Sequence, residues 1–279
     1  MRANLLVELF TEELPPKALK RLGDAFAGGV VDGLRTAGLL DATSVVRTYA
    51  TPRRLAVSIS AVLNKAPDRP VEQKLMPVAV ARAQDGAWSE ALRKKLAGMG
   101  REALADVPVK TTVGSDALLI KSDGKTDSVF LRSIAAGQTL ERVLEDAVEN
   151  AIEKLPIPKV MSYQLADGAT TVKFVRPAHG LVALHGPRVL GVSVLGLQAG
   201  RIIHGHRFQG ERNLSLDIAD AYEALLETRG KVIADFDKRK ADIARQLVAG
   251  TGRSVFEWTA THPSSFMPVA DGTTRNRRH

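Results

Sequence analysis

The sequence contains no cysteine, few aromatic residues and no long apolar run. Without thiols the chain forms neither disulfides nor thiolate zinc sites, and cysteine nucleophiles are excluded. No stretch of about 18 apolar residues is present, so we expect no transmembrane helix. The N-terminus lacks the basic start and long apolar block of a secretory signal, so we expect a cytoplasmic protein without a membrane partner.

Nucleotide-binding motifs are also missing. The sequence has no G-x-x-x-x-G-K-[ST] loop and no G-x-G-x-x-G after a strand pattern. His204 and His206 alone are a poor set of metal ligands, and no H-E-x-x-H spacing supports them. We therefore predict that this chain binds no cofactor and no metal, and we assign it no catalytic residues.

The composition is that of a folded, moderately basic protein. The 279 residues are 44% hydrophobic, which is enough for a core in one or two subdomains. Lys and Arg number 39 against 31 Asp and Glu, giving a formal net charge of +8. Such an excess is compatible with a polyanionic partner only if the charges share one face.

Apolar periodicity predicts an α+β fold of mixed strands and helices in one or two subdomains. The clearest patterns are strands over residues 5–10, 44–49 and 55–63 and helices over residues 19–34 and 140–155. Residues 65–86 are weakly patterned, and we expect an extended connection there. We place an N-terminal α+β subdomain at 1–135, a second one at 136–249, and a disordered, irregular tail at 250–279.

The segment LLVELFTEELPPKALK at residues 5–20 joins a buried-strand pattern to an acidic cluster, two prolines and a helix. It resembles the V-E-x-x-T-E-E-L-P-P-K motif of the beta subunit of bacterial glycyl-tRNA synthetase. Further family-like segments follow in the same order: TPRRLA (51–56), KLPIPKVM (154–161), FVRPAHGLVALHG (174–186), GHRF (205–208) and RGKVI (229–233). The resemblance covers about residues 5–247.

The resemblance implies a role in the ATP-dependent attachment of glycine to tRNA(Gly) by two alpha and two beta subunits. In that family the alpha subunit carries the adenylate-forming site with ATP and magnesium, while the beta subunit contributes tRNA binding and assembly. The implied partners are therefore the alpha subunit, a second beta subunit and tRNA(Gly).

The chain also departs from the family pattern. Ser162, Tyr163 and Gln164 stand where the family has R-W-G, and Gly180 stands where a tryptophan is common. Family members are more than twice this length, so we expect a truncated copy. A non-catalytic RNA-binding remnant and a purely structural remnant remain open as alternatives.

Seven residues are candidates for RNA binding: Arg53, Arg54, Lys159, Arg201, His206, Arg207 and Phe208. Cations and one aromatic residue are what backbone contact and base stacking require. His204 and His206, two residues apart, are predicted to share one face of a strand. Lys159 follows two prolines and is either exposed for a phosphate or a surface lysine without a role.

Arg53 and Arg54 allow two interpretations at their strand entrance. They could hold phosphate oxygens bidentately, or they could pair with Glu8, Glu12 or Glu13. We expect the ion pairs and predict that Glu12 and Glu13 lie close to both arginines. For His179 we expect a histidine at the edge of the core that is bonded to a carbonyl, rather than an acid–base role.

Overall fold

The computed structural model describes residues 1–122, 124, 126–157, 161–164 and 171–251. Its strands are β1 (Arg2–Thr11), β2 (Val46–Thr51), β3 (Arg54–Leu63), β4 (Arg69–Pro77), β5 (Thr112–Val113), β6 (Asp116–Ser122), β7 (Asp127–Ala135), β8 (Met161–Gln164), β9 (Thr171–Phe174), β10 (Ala178–His185), β11 (Arg188–Val189), β12 (Ser193–Val194), β13 (Leu197–Gly200), β14 (Ile202–Ile203) and β15 (Leu214–Ser215). Its α-helices are α1 (Leu19–Thr36), α2 (Val78–Ala81), α3 (Glu90–Ala97), α4 (Leu140–Glu153), α5 (Tyr222–Thr228) and α6 (Phe236–Thr251). The predicted α+β class is confirmed.

The chain divides into two compact units, and their bounds differ from the predicted ones. One unit contains residues 1–66 together with the chain from 138 onwards, and the other contains residues 67–137. The physical reason is the sheet: β1 is hydrogen-bonded to β3 on one side and to β10 on the other. The two ends of the described chain therefore build one unit, and the smaller unit is inserted between them.

The sheet of the larger unit has the strand order β12-β13-β10-β1-β3-β2, with β11 beside β10. Central strand β1 is antiparallel to both neighbours, and Val7 lies opposite Val57 and Ala183. Strand β13 runs parallel to β10. The acidic end of β1 therefore lies between the start of β3 and the start of β10.

Both faces of this sheet are covered. Leu5, Val7 and Leu9 pack in a core with buried residues of α1 and α4, whereas Leu6 belongs to a second core built with residues 203–234. A strand that is buried on both faces needs a nearly continuous apolar sequence. That requirement explains the apolar run of β1 and makes Glu8, which is 1% exposed, an exception.

Helices α1 and α4 approach closely because small residues face each other. A Cβ placed on Gly33 would lie 2.5 Å from Ala147 Cβ, and one on Gly29 would lie 2.7 Å from Ala151 Cβ. Gly38 follows α1 with a φ of +78°, a conformation in which glycine carries no Cβ penalty. The predicted helix over residues 19–34 is confirmed.

The smaller unit is a four-stranded sheet in the order β4-β7-β6-β5, packed with α2 and α3 around Trp88 and Leu92. Strand β4 and helix α2 lie where we expected an extended connection. Strand β4 is an edge strand whose first six residues are exposed, so it has no alternating pattern, and an edge position tolerates Pro70 and Pro77.

Two expectations concern chain segments as a whole. In the described part of the chain, none of the helices is both long and apolar enough to cross a membrane. The predicted tail at 250–279 lies outside the described residues except for the last two residues of α6.

Candidate nucleic-acid interface

Three family-like segments meet at the end of β1. The backbone N–H of Thr11 donates to the carbonyl of Arg53 at 2.8 Å, and the N–H of Glu12 donates to the carbonyl of Pro177 at 2.9 Å. Backbone bonds of this kind fix the segments independently of their side chains. The acidic motif, TPRRLA and FVRPAHGLVALHG therefore form one corner of the larger unit.

The two acidic side chains at this corner have different partners. Glu12 lies 3.6 Å from Arg53 Nη2, and its Oε1 is 2.8 Å from His179 Nε2. Glu13 instead lies 3.6 Å from Arg207 Nη2. The predicted proximity is thus confirmed for Glu12 with Arg53, but Glu13 pairs with Arg207. The expectation for His179 is wrong, because its ring is about half exposed and bonds a carboxylate.

Arg54 is buried in a polar cluster on the second face of the sheet. Its Nη1 lies 3.7 Å from Glu8 Oε2, and its Nη2 donates to the carbonyl of His204. The Tyr222 hydroxyl donates to the same Glu8 oxygen. Burial and the Glu8 charge hold the pKa of Tyr222 well above its usual value. Of the two interpretations for Arg54, the ion pair is the one present, and the Arg54 side chain is 3% exposed.

This cluster is not fully satisfied. Among the described residues, Glu8 Oε1 and the Nε and Nη1 of Arg54 have no hydrogen-bond partner. A cavity of about 30 Å³ lies against Arg54, and its other walls include Phe10, Arg53, Gly205, His206 and Arg207. Two of the candidate arginines outside the cluster, Arg53 and Arg207, are therefore brought together by the fold.

His206 and Phe208 occupy opposite environments. Strand β14 ends at Ile203, so His204 and His206 do not share a strand face, and that prediction is wrong. His206 is buried, and its Nδ1 accepts hydrogen bonds from the backbone N–H groups of Phe208 and Gln209 at 3.2 and 3.0 Å. Phe208 is 79% exposed, and the Arg207 guanidinium lies 5.2 Å from its ring centre. His206 therefore shapes the turn, whereas Phe208 and Arg207 face outward.

Glycines hold this turn against the RGKVI segment. A Cβ on Gly210 would lie 2.1 Å from the carbonyl oxygen of Gly230, and one on Gly205 would lie 2.7 Å from Gly230 Cα. The N–H of His206 also donates to that carbonyl at 2.7 Å. Two backbones cross here at a distance that leaves no room for side chains, so the turn is rigidly placed.

Of the two remaining candidates, Arg201 does not join this corner. Arg201 donates through Nη2 to the carbonyl of Pro187 at 3.1 Å and does not line the cavity. Lys159 lies outside the described residues. Within the described ranges, no group of three or more His, Asp or Glu side chains is arranged to hold a metal ion.

Comparison with known proteins decides the family. Residues 5–261 match the family model described as glycyl-tRNA synthetase beta subunit. The chain belongs to this family. The match reaches residue 261, further than the resemblance over about residues 5–247.

Curated relatives give the same result. The chain is 54% identical over 247 residues to the glycine–tRNA ligase beta subunit of Leptothrix cholodnii, covering 88% of this chain and 33% of the relative. It is 51% identical over 252 residues to that of Dechloromonas aromatica, covering 90% and 35%. It is 50% identical over 270 residues to that of a Janthinobacterium species, covering 96% and 37%. The chain thus spans about a third of the length of these glycyl-tRNA synthetase beta subunits.

Two buried residues that bond distant segments of the chain, Tyr222 and Arg239, were not predicted from the sequence. The Tyr222 hydroxyl donates to Glu8 Oε2, and the only signal for such a partner was a carboxylate inside an apolar strand. Arg239 on α6 donates to the carbonyls of Ala50 and Ile233 at 2.7 and 2.8 Å, and burial lowers its pKa to about 10. No local pattern distinguishes Arg239 from the exposed cations around it.

Proposed function

We propose that this chain is the N-terminal part of a glycyl-tRNA synthetase beta subunit and that it supports the ATP-dependent attachment of glycine to tRNA(Gly) with a catalytic alpha subunit. The observation that carries the proposal is the family match over residues 5–261. In this proposal the alpha subunit binds ATP and magnesium, a second beta subunit completes the assembly, and the complex works in the cytoplasm.

The contribution of this chain is contact with tRNA. The corner formed by Arg53, Arg207 and Phe208 supports this assignment, because it combines guanidinium groups with an exposed aromatic ring. Guanidinium groups bind phosphate oxygens bidentately, and an aromatic ring stacks on unpaired bases. The activation of glycine, which forms an adenylate, is assigned to the alpha subunit.

The test measures glycine-dependent ATP–pyrophosphate exchange and tRNA charging with the chain alone, the alpha subunit alone, and both together. We expect no exchange from the chain alone, since its sequence carries no nucleotide-binding loop. We expect charging of tRNA(Gly) to be higher with both proteins than with the alpha subunit alone.

A full-length beta subunit from a relative provides the positive control for an active alpha subunit. Exchange by the purified chain alone would contradict the assignment of activation to the alpha subunit. If the chain neither co-purifies with the alpha subunit nor increases charging, the alternative of a non-catalytic RNA-binding or structural remnant is favoured.

A further inference from the structure

We infer that the cavity beside Arg54 and the exposed ring of Phe208 together bind one unpaired nucleotide of RNA, with a phosphate oxygen in the cavity and the base on the ring. The inference depends on the proposed function for one point only, namely that the RNA is tRNA. The site itself follows from the charge and size of the cavity and from the position of the ring.

The cavity is lined by arginines, each of which also has a carboxylate partner beside the cavity. Three of its lining residues are arginines, Arg53, Arg54 and Arg207, and among the described residues that line it none is acidic. Arg54 is 2% exposed, and its Nε and Nη1 have no hydrogen-bond partner in the described chain. Buried donors without acceptors are costly, and an anionic oxygen satisfies them with strong, charge-assisted bonds.

The size of the cavity selects the group that enters. A cavity of about 30 Å³ has room for at least one water-sized group, so a non-bridging phosphate oxygen fits in it. A phosphodiester with one non-bridging oxygen inside keeps its sugar and base outside.

The acidic neighbours do not block such an oxygen. Glu12 and Glu13 lie 3.6 Å from Arg53 and Arg207, beyond the 2.7–2.9 Å typical of charge-assisted bonds. Both carboxylates are substantially exposed and can turn into solvent. The Glu12–Arg53 and Glu13–Arg207 pairs therefore orient the arginines in the RNA-free chain, and a phosphate that comes closer replaces the carboxylates.

Arg207 links the cavity to the base platform. It lines the cavity, and its guanidinium lies 5.2 Å from the centre of the Phe208 ring. Phe208 is 79% exposed, whereas the turn beneath it is fixed by His206 and by the glycine crossing. An exposed aromatic on a rigid turn is a platform for stacking, and only an unpaired base can leave its own helix to use it.

The test measures the affinity of the full chain for a short, labelled, single-stranded RNA of mixed sequence across a range of salt concentrations. Phe208→Ala is expected to weaken binding about 5- to 150-fold, and Phe208→Trp is expected to restore it. Arg207→Ala is expected to reduce the slope of log affinity against log salt by about one.

Arg142→Ala is the matched control. Arg142 on α4 is an exposed arginine with an acidic neighbour, Asp146 at 3.3 Å, but it does not line the cavity. It should leave both affinity and slope close to those of the unmodified chain. Circular dichroism confirms that each variant is folded.

Unchanged affinity in both Phe208→Ala and Arg207→Ala would overturn the inference, as would an equal loss in Arg142→Ala. If charging by the alpha subunit is nevertheless still stimulated, the proposed function stands without this site. If the cavity instead binds a small free anion and not RNA, inorganic phosphate would raise the melting temperature of the unmodified chain but not that of Arg207→Ala. In that case the affinity for RNA would be the same in both proteins. That result would also overturn the inference.

Discussion

The buried pair of Glu8 and Arg54 provides the sharpest test of the fold. The Arg54 side chain is 3% exposed and that of Glu8 is 1% exposed, so solvent cannot replace a missing partner. Arg54→Met removes the cation and leaves Glu8 with only the Tyr222 hydroxyl. Removing one member of a buried ion pair costs about 3–5 kcal/mol, and we expect that loss in the free energy of unfolding.

Urea unfolding of the full chain, followed by far-ultraviolet circular dichroism, measures this loss. With a denaturant dependence of about 2–3 kcal/mol per molar urea, the midpoint falls by about 1–2.5 M. Tyr222→Phe removes only a hydrogen bond to a charged group, so its cost should be about 1.5–3 kcal/mol. Glu8→Gln combined with Arg54→Met should cost less than the sum of the single variants, because no unpaired charge is left buried.

Arg53→Met is the matched control, because Arg53 is the neighbouring residue and also has a carboxylate partner. Its side chain is 27% exposed and Glu12 is 46% exposed, so solvent screens the pair. The loss of such a pair costs about 1 kcal/mol or less. Equal losses for Arg53→Met and Arg54→Met would refute the reasoning from burial, as would a loss below about 1 kcal/mol for Arg54→Met.

Two further predictions concern packing and pH. Gly33→Ala should destabilise the chain by about 1–3 kcal/mol in thermal unfolding, because its Cβ would lie 2.5 Å from Ala147 Cβ. The control is Gly28→Ala on the same helix, whose Cβ meets nothing within 4 Å, so this variant should be neutral or stabilising. Equal effects of the two substitutions would contradict the close approach of α1 and α4. Burial, and secondarily the charge of Glu223, raise the pKa of Tyr49 to about 12. The stability that this shift contributes is present below pH ~10 and should fall as the pH rises towards 12, and Tyr49→Phe should lessen that fall. Ionisation of Tyr49 near pH ~10 in an ultraviolet absorbance titration would contradict this prediction.

The strongly periodic elements could be predicted from the sequence. Helices α1 and α4 each bury one apolar stripe, and β1 is apolar because both of its faces are covered. Strand β4 could not be predicted, since most of its residues are exposed and leave no alternation to detect. The periodicity of apolar residues reflects which side chains are buried, so a strand or helix with few buried side chains cannot be detected from it.

The site was predictable in its residue types and less so in its arrangement. The sequence indicated that the acidic and basic motifs would form ion pairs, but not that Glu13 would pair with Arg207 rather than with Arg53. The burial of His206 depends on Gly230, which comes from a distant segment and crosses the turn. Tertiary proximity of this kind has no signature in local spacing, so a charge count could not show which cations share a surface.

Glu8 also has a consequence for the register of the sheet. A buried ion pair is weak evidence for stability, because desolvation of two charges offsets much of their attraction. Its position, however, discriminates between registers: in the observed one, Glu8 lies opposite Ala56 and Val182 and faces Tyr222. A slip of β1 by one residue would turn every side chain to the other face and place Glu8 in the apolar core beneath α1 and α4. The carboxylate thus excludes the slipped register, and the same contact holds residues 203–234, including the turn that carries Arg207 and Phe208, against the sheet.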